Sequence, residues 1–129
     1  MPRTDVVFYR EREGDVPVLD WLKKLRRSNH RAYESCVAAI ERLTAFGHEL
    51  RRPMADFLRD GIYELRIRSG RVNYRILYFF HGRDVVVLSH GVTKSQKVPD
   101  ADIERAVARK LLVMKDPLHY AGKLAPKEV

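Results

Sequence analysis

The stretch Gly61-Ile62-Tyr63-Glu64-Leu65-Arg66-Ile67-Arg68-Ser69-Gly70-Arg71-Val72-Asn73-Tyr74-Arg75 decides how this sequence folds. Tyr63, Leu65 and Ile67 alternate with Glu64, Arg66 and Arg68, the period of two that marks a strand with one buried face. Ser69-Gly70 reads as a two-residue hairpin turn, and a turn fixes register. With that turn, Arg68 faces Arg71, Arg66 faces Asn73 and Glu64 faces Arg75. Leu65 and Tyr74, with Ile67 and Val72, then fall on the opposite, apolar surface.

A third strand follows from Val85 to His90, after the turn signals at His81-Gly82-Arg83-Asp84. Pairing Phe80 with Val85 brings His90 opposite Arg75, Val92 opposite Asn73 and Lys94 opposite Arg71. One surface thereby gathers Arg66, Arg68, Arg71, Asn73, Arg75, His90 and Lys94. Tyr74, Tyr78 and Phe80 share the parity of the core, and Phe79 points to the other side, where it can stack a base or pack against a neighbouring element.

Charge agrees with this reading. The chain carries a net charge of +8, with 25 basic and 17 acidic residues. Between Gly61 and Lys97 seven basic residues stand against only Glu64 and Asp84, so 37 residues hold +5 of that excess. Like charges facing each other across strands are unfavourable by up to about 1 kcal/mol per pair. A basic face of this kind fits a polyanion, and phosphate explains it better than a purely structural sheet does.

Around the sheet, Asp5 to Arg10 reads as a short strand. Asp15 and Pro17 open a first helix with Val18, Leu22 and Leu25 on one side. Ser28 or Asn29 caps a second, in which Tyr33, Val37, Ile40 and Leu43 recur until Gly47 stops it. His48 to Arg59 shows little periodicity and reads as a loop. Pro99 and Asp100 start a last helix with Ile103, Val107, Leu111 and Met114 on one side, and residues 116–129 read as an irregular tail. The expectation is one α+β domain over residues 1–129. The single Cys36 is expected as a small hydrophobe on the second helix. No apolar run suggests export or a membrane, so a cytoplasmic protein is expected.

His90 is the acid/base candidate, because its unperturbed pKa of about 6.5 permits proton exchange near neutrality. His30, His48, His81 and His119 fall in helix, loop, turn and tail. Their spacing with Cys36 does not match a metal site, so neither a metal nor a cofactor is expected. No Gly-rich phosphate loop, H-E-x-x-H or G-x-S-x-G motif is present.

The segments Leu58-Arg59-Asp60-Gly61-Ile62-Tyr63-Glu64-Leu65-Arg66, Tyr74-Arg75-Ile76-Leu77-Tyr78 and Leu88-Ser89-His90-Gly91-Val92-Thr93-Lys94-Ser95-Gln96-Lys97-Val98-Pro99 resemble the RelE/ParE toxin superfamily, and most of all its HigB-like, phage-associated branch. The resemblance runs through nearly the whole chain in element order. It implies a RelE-like fold, with an N-terminal strand and helical hairpin packed on an antiparallel sheet and a C-terminal helix. It also implies the toxin of a type II toxin-antitoxin system, a ribosome-dependent endoribonuclease that cuts mRNA and is neutralised by a cognate helix-turn-helix antitoxin. Carried to this chain, it points to Arg66, Arg75, His90, Lys94 and Lys97. The resulting assignment makes Arg66, Arg75, His90 and Lys94 catalytic, with Arg68, Arg71, Asn73 and Lys97 binding RNA. Several relatives keep a catalytic Tyr or Arg near the C-terminus, where this chain has Asp116-Pro117-Leu118-His119-Tyr120 after a long helix. A ParE-like toxin directed at gyrase, or a module that binds nucleic acid or antitoxin without cutting, are the alternatives.

Overall fold

A computed structural model describes residues 4–93 and 96–121. Five strands form one mixed sheet in the order β1-β5-β4-β3-β2: β1 (Asp5–Phe8), β2 (Ala55–Arg59), β3 (Ile62–Ser69), β4 (Val72–His81) and β5 (Val85–Thr93). β2 to β5 run antiparallel in sequence, and β1 joins β5 in parallel at the far edge. α1 (Pro17–Ser28) and α2 (His30–Phe46) lie between β1 and β2 in the chain, whereas α3 (Asp100–Lys115) and the short α4 (Pro117–Ala121) follow the sheet. The α+β class and the order of elements are as expected and consistent with a RelE-like fold, and the parallel β1 makes the sheet mixed rather than wholly antiparallel.

Asn29 caps α2, its side chain accepting from the Ala32 amide at 3.1 Å, and Gly47 ends the helix with φ of 51°. The innermost residues of α2 are Ala32, Cys36, Ala39 and Leu43, one position away from much of the expected stripe, while Tyr33 and Ile40 are only partly buried. The small side chains let this helix lie close to the sheet. Burial also pushes the Cys36 thiol up to about 12, so it behaves as the hydrophobe expected of it.

Two expected loops prove to be ordered elements. Part of the segment His48 to Arg59 is strand β2, joined to β3 by Asp60-Gly61, both with positive φ. Two such residues in succession are the signature of a type I′ hairpin turn. Beyond Pro117, where an irregular tail was expected, α4 folds back. Tyr120 stacks on Tyr9 with ring centroids 6.1 Å apart, and its carbonyl accepts the Arg10 amide at 2.8 Å.

The sheet is covered unequally on its two faces. On the inner face, α1 and α2 bury Leu65, Ile67, Tyr74, Ile76, Tyr78, Val86 and Leu88. On the outer face, α3 and α4 cover only one end, burying Ile62, Leu77, Phe79 and Val87 with Ile103, Ala106, Val113 and Tyr120. Phe79 is 1% exposed in this second core and is therefore not a platform for a base. α3 presents Ile103, Ala106 and Val113 inward, leaving Leu111 and Met114 exposed rather than buried as the sequence spacing suggested. Each large apolar side chain buried under α3 contributes about 1.5–3 kcal/mol relative to exposure.

Gly91 supports the inner packing, because a Cβ built there would overlap the Trp21 ring of α1. Gly91→Ala is expected to lower stability by about 1–3 kcal/mol, the usual cost of overpacking. Urea unfolding followed by far-UV circular dichroism checks this, and an unchanged midpoint would show that Trp21 does not sit against the strand.

Candidate functional site: an arginine-lined cleft at the open end of the sheet

The β3–β4 turn differs from the expected one by a single residue, and the difference builds the site. Gly70 has φ of 61°, whereas Ser69 and Arg71 are not in the left-handed region. A two-residue loop centred on Ser69-Gly70 would force Ser69 into that region, but one centred on Gly70-Arg71 puts glycine first, as a type II′ turn requires. Ser69 therefore pairs with Val72, Arg68 with Asn73, and Arg66 directly with Arg75, while Glu64 faces Leu77. Partners move by two residues, so every side chain keeps its expected face while its neighbours change.

In the second hairpin, His81 rather than Phe80 faces Val85, and the register shifts again between Leu77 and Tyr78, leaving Ser89 as an extra residue. Val92 consequently faces Arg75, and His90 faces Leu77. His90 is displaced from Arg75 by about 7 Å along the sheet, two residues of rise, towards the end covered by α3. Only 7% of it is exposed. Its Nε2 lies 3.1 Å from an Asp102 carboxylate oxygen and its Nδ1 2.8 Å from the Ser89 hydroxyl, with the Arg109 guanidinium 3.3 Å from Nδ1. Burial, then the Arg109 charge, push its pKa down to about 4 against the opposing pull of Asp102. The structure does not bring His90 to an open face beside Arg75. It lies instead in a network that continues through Arg109 to Glu11 at 2.8 Å, with the Arg109 guanidinium 4.7 Å from the Tyr9 ring centroid.

The open end of the outer face does gather the arginines. Arg75 is 5% exposed, its Nε 2.8 Å from Glu64 Oε1, and its Nη2 donates to the Gln96 carbonyl at 2.6 Å. Arg66 is more exposed, with its Nε 3.8 Å from Glu64 Oε2. One carboxylate thus spans two guanidiniums, and burial nevertheless raises the Glu64 pKa above the usual carboxylate value, opposed by Arg75 and Arg66. A cleft of about 620 Å³ lies to one side of this trio, with Arg68, Asn73, Pro53 and Met54 among its walls. On the other side a second hollow adds Lys97, Arg52, Asp56 and Arg59, so Arg66, Arg75 and Gln96 form the ridge between them. Arg71 is exposed at the turn, and Lys94 lies outside the described residues. Reasoning from sequence missed β2, whose Asp56 faces Glu64; the Asp60-Gly61 pair was the available signal.

Fold and site together define a small α+β protein with a preformed cationic cleft at the uncovered end of its sheet. The profile of the family described as phage-derived protein Gp49-like matches residues 20–111, and the chain belongs to that family. No curated protein matches the sequence. Among the described residues, no helix is long and apolar enough to cross a membrane.

The buried state of His90 gives a pH signature. Its folded pKa lies near 4 and its unfolded value near 6.5, so the unfolded chain binds the extra proton between those limits. The stability that neutral His90 contributes is present above pH 6.5 and is lost as pH falls towards 4. The shift corresponds to roughly 3 kcal/mol. Urea unfolding of the wild type and His90→Gln at pH 7 and pH 4.5 checks this: their stability difference should shrink at the lower pH. A pH-independent difference would contradict it.

Proposed function

We propose that this protein is the toxin of a type II toxin-antitoxin pair and that it cuts mRNA on the ribosome, with the scissile phosphate held between Arg66 and Arg75. The observation that carries this reading is the direct cross-strand pairing of these two arginines in an open cleft, with Glu64 fixed on Arg75. A phosphodiester between them replaces like-charge repulsion with short, charge-assisted hydrogen bonds.

In the reaction, a ribose 2′-hydroxyl gives up its proton and attacks the adjacent phosphorus. The bond from phosphorus to the 5′-oxygen breaks, that oxygen takes a proton, and the products carry a 2′,3′-cyclic phosphate and a 5′-hydroxyl. Arg75, held by Glu64 and the Gln96 carbonyl, is a preorganised cation for the charge that builds on the phosphate oxygens. Arg66, less tightly held, closes on the opposite oxygen. Glu64 is the proton acceptor in this scheme, since a carboxylate with a raised pKa is a stronger base. Lys97 stands at the edge of the same hollow and supplies the proton or the neutralising charge to the leaving oxygen. Arg68, Asn73 and Arg71 extend the cationic and polar surface towards the hairpin turn for the flanking backbone, and Lys94 remains a candidate contact. His90 has no role in proton transfer here, because it faces Leu77, about 7 Å along the sheet from Arg75, and points to Asp102 and Ser89. A helix-turn-helix antitoxin is the expected neutralising partner, and the cytoplasm the expected setting.

Adding the purified protein to a translation reaction and mapping mRNA ends tests the reading. New 5′-hydroxyl ends are expected with the wild type. Arg66→Ala should cut at least about 100-fold more slowly, the loss typical of removing one transition-state donor, and its exposed position should preserve folding. His90→Asn should cut within a few-fold of wild type. Intact mRNA accompanied by gyrase inhibition would overturn the proposal in favour of a gyrase-directed toxin.

A further inference from the structure

The densest positive charge in the chain lies outside the cleft. From Lys23 to Arg31 there are five basic residues, Lys23, Lys24, Arg26, Arg27 and Arg31, and no acidic one. All five are exposed along α1 and at the start of α2. On α1, Val18, Leu22 and Leu25 face the core. Lys24 and Arg27, three residues apart, therefore share a solvent-facing side of the helix.

A single shared wall connects this side to the cleft. Tyr74 borders both the cleft beside Arg75 and a groove that continues past Thr93, Asn29 and Ser28 to Trp21 and Lys24. Trp21 is partly exposed in that groove, held there by its Nε1 donating to the Thr93 hydroxyl at 3.1 Å. The groove thus combines a fixed aromatic side chain with one cation, Lys24, in its wall, and the exposed Arg27 lies three residues further along α1; single-stranded nucleic acid uses such a combination of aromatic surface for bases and charge for the backbone.

We propose that a single RNA strand held at Arg66 and Arg75 continues along this groove, past Trp21, onto Lys24 and Arg27. The inference rests on the reading of the cleft as an RNA site and adds a second contact region, so that the protein grips a length of RNA rather than one phosphodiester. The two cations neutralise separate backbone phosphates, and Trp21 borders the strand between them and the cleft.

Trp21 is the chain's single tryptophan, so its fluorescence reports on the groove directly. The test uses the full-length protein with 2′-O-methyl RNAs, which lack the attacking hydroxyl, of twenty and of four nucleotides. The twenty-mer should perturb Trp21 fluorescence, and the four-mer, at concentrations that fill the cleft, should not. Lys24→Gln/Arg27→Gln should bind the twenty-mer about tenfold more weakly and lower its salt slope by about 1.4, two contacts at roughly 0.7 each. Its affinity for the four-mer should be unchanged.

Unchanged twenty-mer affinity and slope in this double variant would overturn the proposal while leaving the cleft reading intact. Equal binding of polyglutamate, with the same change in Trp21 fluorescence, would overturn it in favour of an acidic protein segment. If the twenty-mer depends on Lys24 and Arg27 but mRNA is not cut during translation, the groove stands and the cleavage reading fails. If neither RNA binds the wild type, both fail.

Discussion

The buried contact between Glu64 and Arg75 is the constraint around which the outer face is arranged. The sheet needs both faces covered where its residues are apolar, and α3 supplies that cover over Leu77, Phe79 and Ile62. One step along β3 and one along β4 the apolar residues give way to Glu64 and Arg75, at the boundary of the second core. Taking a carboxylate and a guanidinium out of water is costly unless they meet each other and further partners. At this boundary Glu64 meets two arginines, and Arg75 also meets a carbonyl from the segment after β5. The pair thus joins three parts of the chain and leaves a cation fixed in direction. A hydrophobic pair would pack at this boundary without that desolvation cost, but it would leave no oriented cation at the cleft.

Much of the architecture is legible in the sequence, because period and punctuation agree. The alternation from Tyr63 to Arg68 gives the strand and its buried face, Asn29 and Gly47 bound α2, and Pro99-Asp100 opens α3. Facing survives even though the register does not. The turn at Gly70-Arg71 moves partners by two, and in the second hairpin the one-residue shift at the turn and the extra residue at Ser89 add to two, so Arg66, Arg75 and His90 stay on the expected side. Neighbours are another matter. Whether His90 meets Arg75 or Leu77 depends on one turn residue and one bulge, and alternation alone carries no signal for either.

The remaining differences share a physical cause: small residues pack closest, while periodicity is read from large ones. Ala32, Cys36 and Ala39 turn α2 away from the phase of Tyr33 and Val37, and Ala106 does the same in α3, leaving Leu111 and Met114 in solvent. Tyr120 shows the effect of tertiary contact on a weak local signal, since α4 is set by its stack on Tyr9 and by Arg10. The pKa of His90 departs from its ordinary value for a related reason. Its ordinary pKa describes a solvated imidazole, and α3 removes the solvent. The basic run on α1 was diluted by acidic residues elsewhere in the first sixty positions and stands out only as a local exposed surface.

The chain belongs to the phage-derived Gp49-like family, and its fold leaves an arginine-lined cleft at the open end of its sheet. The most direct test of the central claim is a crystal structure with a short 2′-O-methyl RNA bound. The account expects one phosphate with its two free oxygens within about 3 Å of the Arg66 and Arg75 guanidiniums, and the modified 2′-oxygen on the Glu64 side. RNA seated elsewhere, with no phosphate between the two arginines, would contradict it.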